Sequence, residues 1–173
     1  MFAFSPDKIA LMVNYLSVFS SAFTILFMFW SLTLLMKRII TTTEDTSNSS
    51  NIMILGSAFI AAVSFTFTDS FWFNAVEAEV YAMASFLIAL LFWLGLRWEQ
   101  ELETPRGNKW LLIISLVIGL SFGVHFMALL TFPAIGFLYF FKKYKNITVK
   151  SFLLANVVIA AILLFIFKLL LPY

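Results

Sequence analysis

Long apolar stretches alternate with short polar ones along the whole chain. Stretches without Asp, Glu, Lys or Arg cover 9–36, 52–68, 80–96, 110–141 and 151–167. A helix needs about 20 residues to cross the roughly 30 Å hydrocarbon core of a bilayer. Most of these stretches reach or approach that length, so the pattern predicts an all-α membrane protein with a single transmembrane domain over 1–173.

The stretch 110–141 is too long for one span. As a single helix, its 32 residues would measure about 48 Å, more than the core accommodates even with strong tilt. Gly119, Gly123 and His125 lie inside it, in the segment "GLSFGVHF", and Pro133 and Gly136 follow. We therefore predict two short helices, 110–124 and 126–141, joined by a turn at Gly123–His125.

The basic residues support that turn. Lys and Arg near short loops concentrate on the cytoplasmic side of a membrane. With the turn, nine of the 11 basic residues fall on one side and only Lys8 and Lys168 on the other; without it the split is six against five. The sequence therefore predicts a bundle of about six transmembrane helices with both termini on the non-cytoplasmic side and cytoplasmic loops at 39–51 and 98–109. The predicted spans are 9–36, 52–68, 72–97, 110–124, 126–141 and 151–171.

Composition narrows the possible chemistry. The chain is 62% hydrophobic and 12% charged, against about 25% charged in soluble domains. It has no cysteine, which excludes disulfides and thiolate metal sites. No basic run is dense enough to predict nucleic-acid binding, and the sequence contains no serine-hydrolase triad, phosphate loop or zinc signature. The lipid bilayer is the first expected partner.

Polar side chains gather where the predicted topology reaches the non-cytoplasmic face. In "TDSFWFNAVEAEVYA", Asp69 or Ser70 is positioned to cap a helix that starts there. Glu77 and Glu79 lie about 200° apart around a helix axis, so they cannot share one face. On a continuous helix Glu77 would form a polar stripe, whose members are Asn74, Glu77 and Tyr81. Two interpretations remain open: the acids lie in the headgroup layer, or they line a pocket that opens outward.

His125 falls in the predicted turn. A non-helical turn at membrane depth must be buried in protein or line a wet cavity. The imidazole is therefore expected either to contact a ligand or to be neutral and hydrogen-bonded to a carbonyl of the turn. No metal site is predicted, although Asp69 or Glu77 could join His125 in one. The GxxxG spacing of Gly119 and Gly123 favours close helix packing.

The segments "TDSFWFNAVEAEVYA" and "GLSFGVH" resemble a family of multi-pass membrane proteins of the protein O-mannosyltransferase type. That family belongs to the GT-C superfamily of glycosyltransferases, which take sugars from polyprenyl-phosphate donors. The resemblance implies transfer of a sugar to a protein Ser or Thr hydroxyl at the non-cytoplasmic membrane face, with a carboxylate as general base. No cofactor is implied beyond the lipid-linked sugar, which is a substrate, and the expected location is a bacterial inner membrane.

The resemblance also assigns residues. Glu77, Glu79 and Tyr81 occupy a Glu-x-Glu-x-Tyr motif and His125 a Gly-x-His turn, which implies that they shape the substrate pocket. The family's catalytic aspartate is expected in an external loop that precedes the start of this sequence, so the chain is expected to be a segment of the enzyme. Two other functions are kept as hypotheses, namely a noncatalytic membrane scaffold or subunit and a transporter of lipid or solute.

Overall fold

A computed structural model describes residues 5–40 and 47–170, which are almost entirely helical and contain no strand. The all-α fold predicted from the apolar stretches is confirmed. The elements in chain order are α1 (Pro6–Ile40), α2 (Asn48–Thr66), α3 (Asp69–Val76), α4 (Val80–Glu101), α5 (Gly107–Ser121), a 3-10 helix (Phe126–Leu130), α6 (Thr131–Lys143) and α7 (Val149–Leu170).

Five helical segments of the described chain are long and apolar enough to cross a membrane: α1, α2, α4, the 3-10 helix together with α6, and α7. The remaining apolar helix, α5, has 15 residues and a length of about 22 Å. The chain thus forms an integral membrane bundle. The six predicted spans correspond to these five segments and the shorter α5, and the predicted number of crossings stays a prediction.

The segment predicted as a single span over 72–97 consists of two helices. Helix α3 ends at Val76, and α4 begins at Val80. Between them Glu77 and Glu79 have extended backbones, with ψ of 144° and 163°. A continuous helix would turn the two carboxylates to opposite sides, one of them toward apolar neighbours, whereas the extended segment leaves both exposed.

The loops are shorter than predicted wherever the structure describes them. Helix α4 continues to Glu101 and α5 begins at Gly107, so 102–106 is all that remains of the predicted loop 98–109. A Cβ at Gly107 would lie 2.9 Å from the carbonyl oxygen of Glu101, so this turn requires glycine. Helix α2 begins at Asn48, inside the predicted loop 39–51, and residues 41–46 of that loop and 171 of the last span lie outside the described residues.

Helix α4 lies at the centre of the bundle. Its side chains Leu87, Leu91, Leu94 and Trp98 are buried in the main core cluster, whose other members come from α5, the 3-10 helix and α6: Ile114, Val117, Ala128 and Ile135. Helix α7 packs on the outside against α6, through ring contacts such as that between Phe137 and Phe152 at 5.7 Å. The buried centre of the fold is therefore α4.

The second half of α1 runs parallel to α4. The ring centroids of Phe23 and Phe86 lie 5.8 Å apart near one end of the pair, and Arg38 is ion-paired with Glu99 at the other. The face of α1 that is buried carries small hydroxyl side chains, which allow two helices to approach closely. These residues are Ser17, Ser20, Ser21, Thr24 and Ser31.

Candidate functional site

The predicted polar residues lie on α3, in the segment between α3 and α4, at the start of α4 and in the turn after α5. The ring centroids of Tyr81 and His125 are 5.5 Å apart, which joins the start of α4 to that turn. Glu77 and Glu79 precede Tyr81 directly, in the extended segment between α3 and α4. We call this part of the bundle the acidic end, defined by Glu77, Glu79, Tyr81 and His125. The structure therefore brings the two sequence motifs together across 44 residues of chain.

The two carboxylates are positioned by helix ends. Glu77 is the C-terminal cap of α3, where its backbone N–H donates to the carbonyl oxygen of Phe73 at 3.1 Å. Glu79 is the N-terminal cap of α4, and its side chain makes no capping hydrogen bond. Both side chains are exposed. Because the helix is broken here, the predicted stripe of Asn74, Glu77 and Tyr81 along one helix face does not form.

Asp69 and Asn74 lie on α3. The predicted cap is displaced, since Thr68 occupies the N-cap position and Asp69 is the first helical residue, exposed in the first turn. A carboxylate there interacts favourably with the helix dipole. Asn74 is half-buried. Because α3 separates Asp69 from Glu77 by about 12 Å, Asp69 is remote from the pair of glutamates.

The environment of His125 determines its tautomer. The residue caps the 3-10 helix, and its Nδ1 accepts a hydrogen bond from the backbone N–H of Met127 at 3.2 Å. An accepting Nδ1 carries no proton, so the neutral ring carries its proton on Nε2. The predicted bond from the imidazole to a turn carbonyl is therefore replaced by a bond from a turn amide. The half-buried ring keeps Nε2–H as a hydrogen-bond donor.

A cavity of about 260 Å³ reaches the residue before Glu77. It lies between α1, the end of α2 and α3, and its lining is almost entirely apolar. Ser21 contributes a buried hydroxyl that has no hydrogen-bond partner. The other lining residues are Val18, Ala22, Ile25, Thr66, Phe71, Trp72, Ala75 and Val76.

A second polar cluster at the opposite end of α4 lies outside every predicted site. Glu99, whose side chain is 13% exposed, pairs with Arg38 of α1 and with Lys142 of α6, the latter at 3.7 Å. Arg97 pairs with Glu101 at 3.4 Å and lies 5.5 Å from the ring centroid of Trp110. The spacing of Arg97 and Glu101, four residues apart, was the available sequence signal. We call the end of the bundle that contains this cluster the basic end.

The potential for metal binding is limited in the described part of the chain. Within 5–40 and 47–170, no three His, Cys, Asp or Glu side chains lie close enough together to hold a metal ion.

The glycine pair of the GxxxG motif has a different environment from the predicted one. A Cβ at Gly119 would meet nothing within 4 Å, and one at Gly123 would meet only the carbonyl oxygen of Leu120. Among residues 5–40 and 47–170, the motif therefore does not mediate a helix contact.

Comparison with protein families gives a match over most of the chain. Residues 1–148 match the family described as "Protein O-mannosyl-transferase TMEM260 N-terminal domain". The matched part includes both motifs of the acidic end and all elements from α1 to α6. A search of curated proteins returned no match, and neither did a search of solved structures.

Proposed function

The chain belongs to the family of the protein O-mannosyl-transferase TMEM260 N-terminal domain, and from this premise we propose that it is part of a membrane glycosyltransferase that transfers mannose from a polyprenyl-phosphate donor to a Ser or Thr hydroxyl of a protein. The family match carries the proposal. The acidic end supports it, because an apolar cavity of the membrane bundle reaches the residue before the exposed Glu77, and a histidine with a free N–H donor lies beside Tyr81 at the start of α4.

The reaction that we propose forms one bond and breaks one. The acceptor oxygen bonds to C1 of the mannose, and the bond between C1 and the phosphate oxygen breaks. The lipid phosphate leaves with the bonding electrons, and the acceptor's proton passes to a carboxylate acting as general base. The acidic end supplies groups of the kinds required, since carboxylates accept hydrogen bonds from sugar hydroxyls and Nε2–H of His125 can donate to a phosphate oxygen.

The cavity beside the acidic end suits the lipid part of such a donor. Its apolar lining fits the first isoprenoid units of the donor, and Val76, one of its lining residues, directly precedes Glu77. A chain held there would leave its phosphate and sugar next to the glutamates. The positive-inside rule favours a cytoplasmic location for the basic end, and this supports our proposal that the reaction takes place at the non-cytoplasmic face.

The proposal is tested by sugar transfer in membranes that contain the full-length protein. The substrates are a polyprenyl-phosphate mannose and a Ser/Thr peptide acceptor, and the product is detected by mass spectrometry. We expect Glu77→Gln and His125→Ala each to reduce hexose transfer by about tenfold or more, because each removes a hydrogen bond or proton acceptor at the reacting groups.

Glu103→Gln is the matched control, since Glu103 is exposed at the basic end, and its transfer should be unchanged. Wild-type-like transfer by both acidic-end variants would remove these residues from the site. Donor movement across proteoliposomes without a glycosylated product would favour the transporter hypothesis. Loss of a partner complex on deletion of the protein, with no transfer by the wild type, would favour a scaffold.

A further inference from the structure

An open groove runs along the membrane-facing side of α4 toward the basic end. It lies between α1 and α5, with α4 as its floor, and has a volume of about 320 Å³. The ring centroids of Trp30 and Trp93 are 5.4 Å apart, and those of Trp93 and Trp110 are 6.1 Å apart. We call it the tryptophan groove; its lining residues are Trp30, Thr33, Leu34, Trp93, Arg97 and Trp110.

Arg97 is the charged group of this groove, and its donors are only partly used. One terminal nitrogen donates to Oε1 of Gln100 at 3.1 Å, and the other approaches Oε1 of Glu101 at 3.4 Å. A guanidinium has five N–H donors, so these contacts leave capacity for a further acceptor. The side chain is 35% exposed and lies over the ring of Trp110. Arg97 can therefore bind an anion at the mouth of the groove.

The charge around the groove favours an anion. On the described chain the loops and helix ends at this end of the bundle carry nine basic side chains and three acidic ones, Glu99, Glu101 and Glu103. Of the acids, Glu99 is already held by Arg38 and Lys142. Basic pockets between transmembrane helices on the cytoplasmic side attract anionic lipid head groups.

We propose that the tryptophan groove binds an anionic phospholipid of the surrounding leaflet. The phosphate lies against the guanidinium of Arg97, and an acyl chain follows Leu34 and then Trp30 and Trp93 toward the middle of the membrane. The order of these residues fits such a molecule, because the polar group lies at the helix end and the apolar ones lie deeper along α1 and α4. This site is separate from the acidic end and does not depend on the proposed transferase activity.

The site can be tested by tryptophan quenching in nanodiscs that contain brominated phosphatidylglycerol or brominated phosphatidylcholine. The background variant Trp72→Phe removes an exposed tryptophan of α3, while Trp98 is buried and contributes little quenching. We expect half-maximal quenching at an about fivefold lower mole fraction of phosphatidylglycerol than of phosphatidylcholine, the preference that one basic contact near the membrane surface provides.

Arg97→Gln should make the two quenching curves coincide, and Arg97→Lys should keep most of the preference. Arg106→Gln is the matched control, because Arg106 is exposed at the same end but outside the groove, and it should keep the full preference. If phosphatidylglycerol and phosphatidylcholine gave the same quenching curve while the groove residues were unchanged, the proposal would be overturned. It would also be overturned if Arg97→Gln kept the preference, or if inorganic phosphate abolished it, since the site would then bind free phosphate.

Discussion

At the scale of single residues, His125 shows how a backbone amide determines side-chain chemistry. The N–H of Met127 occupies Nδ1, which leaves Nε2–H as the group that can reach a ligand. The sequence placed His125 in a turn correctly, because Gly123 and the excessive length of 110–141 both required one. It did not indicate the tautomer, since that depends on the extended backbone of His125 itself, with φ of −165° and ψ of 147°.

Glu99 is the residue whose removal should affect the bundle most at the basic end. It is the shared partner of cations from α1 and α6, so Glu99→Gln leaves Arg38 and Lys142 beside each other without a counter-charge. We expect a loss of about 1–2 kcal/mol in the free energy of unfolding, limited by the partial exposure of both cations. Thermal unfolding of the detergent-solubilised protein measures this loss.

Glu103→Gln is the control for that measurement as well, because this exposed side chain should change the free energy of unfolding by no more than about 0.5 kcal/mol. Equal unfolding temperatures for Glu99→Gln, Glu103→Gln and the wild type would show that the ion pairs of Glu99 contribute nothing to stability.

At the scale of the elements, apolar length and the distribution of Lys and Arg sufficed to predict most helices. The break between α3 and α4 was missed because no proline or glycine marks it. The residues at the break are Glu77, Ala78 and Glu79. All three favour a helix by their intrinsic propensity, but the extended backbone is the conformation that leaves both carboxylates exposed. The ion pairs of Glu99 were missed for another reason: they join residues far apart in the sequence, and only the parallel packing of α1, α4 and α6 brings them together.

Gly136 makes a testable contribution to the contact between α6 and α7. A Cβ there would approach the side chain of Ile159 to 3.1 Å, so the two helices are in close contact at this point. We expect Gly136→Leu to separate α7 from α6 and to cost about 2 kcal/mol of unfolding free energy through overpacking. Unfolding by heat or by denaturing detergent measures the change.

Gly119→Leu provides the comparison, because a Cβ at Gly119 meets open space and the added side chain would face lipid. We expect it to preserve stability or to increase it slightly, since leucine is a better helix former than glycine. If Gly119→Leu were the more damaging of the two substitutions, the assignment of helix contacts to Gly136 rather than to the GxxxG motif would be wrong.

At the scale of the whole molecule, the two ends of the bundle differ in chemistry. The acidic end has exposed glutamates, a histidine with a free donor and an apolar cavity, whereas the basic end has the ion pairs of Glu99 and most of the positive charge. The proposed transferase requires the acidic end to face away from the cytoplasm. The lipid site that we infer requires the basic end to lie in the cytoplasmic leaflet.

The most direct test of this arrangement uses single cysteines. The chain contains none, so each introduced thiol is the only one that this chain contributes to labelling. Ala78→Cys lies between the two glutamates, and Thr104→Cys lies in the short connection between α4 and α5; both positions are exposed. Each variant is expressed in the full-length protein and treated in intact cells or sealed membrane vesicles with a membrane-impermeant maleimide.

We expect Ala78→Cys to react from the non-cytoplasmic side and Thr104→Cys to react only from the cytoplasmic side. The opposite pattern would contradict the proposed orientation and function, because Glu77, Glu79 and His125 would then face the cytoplasm.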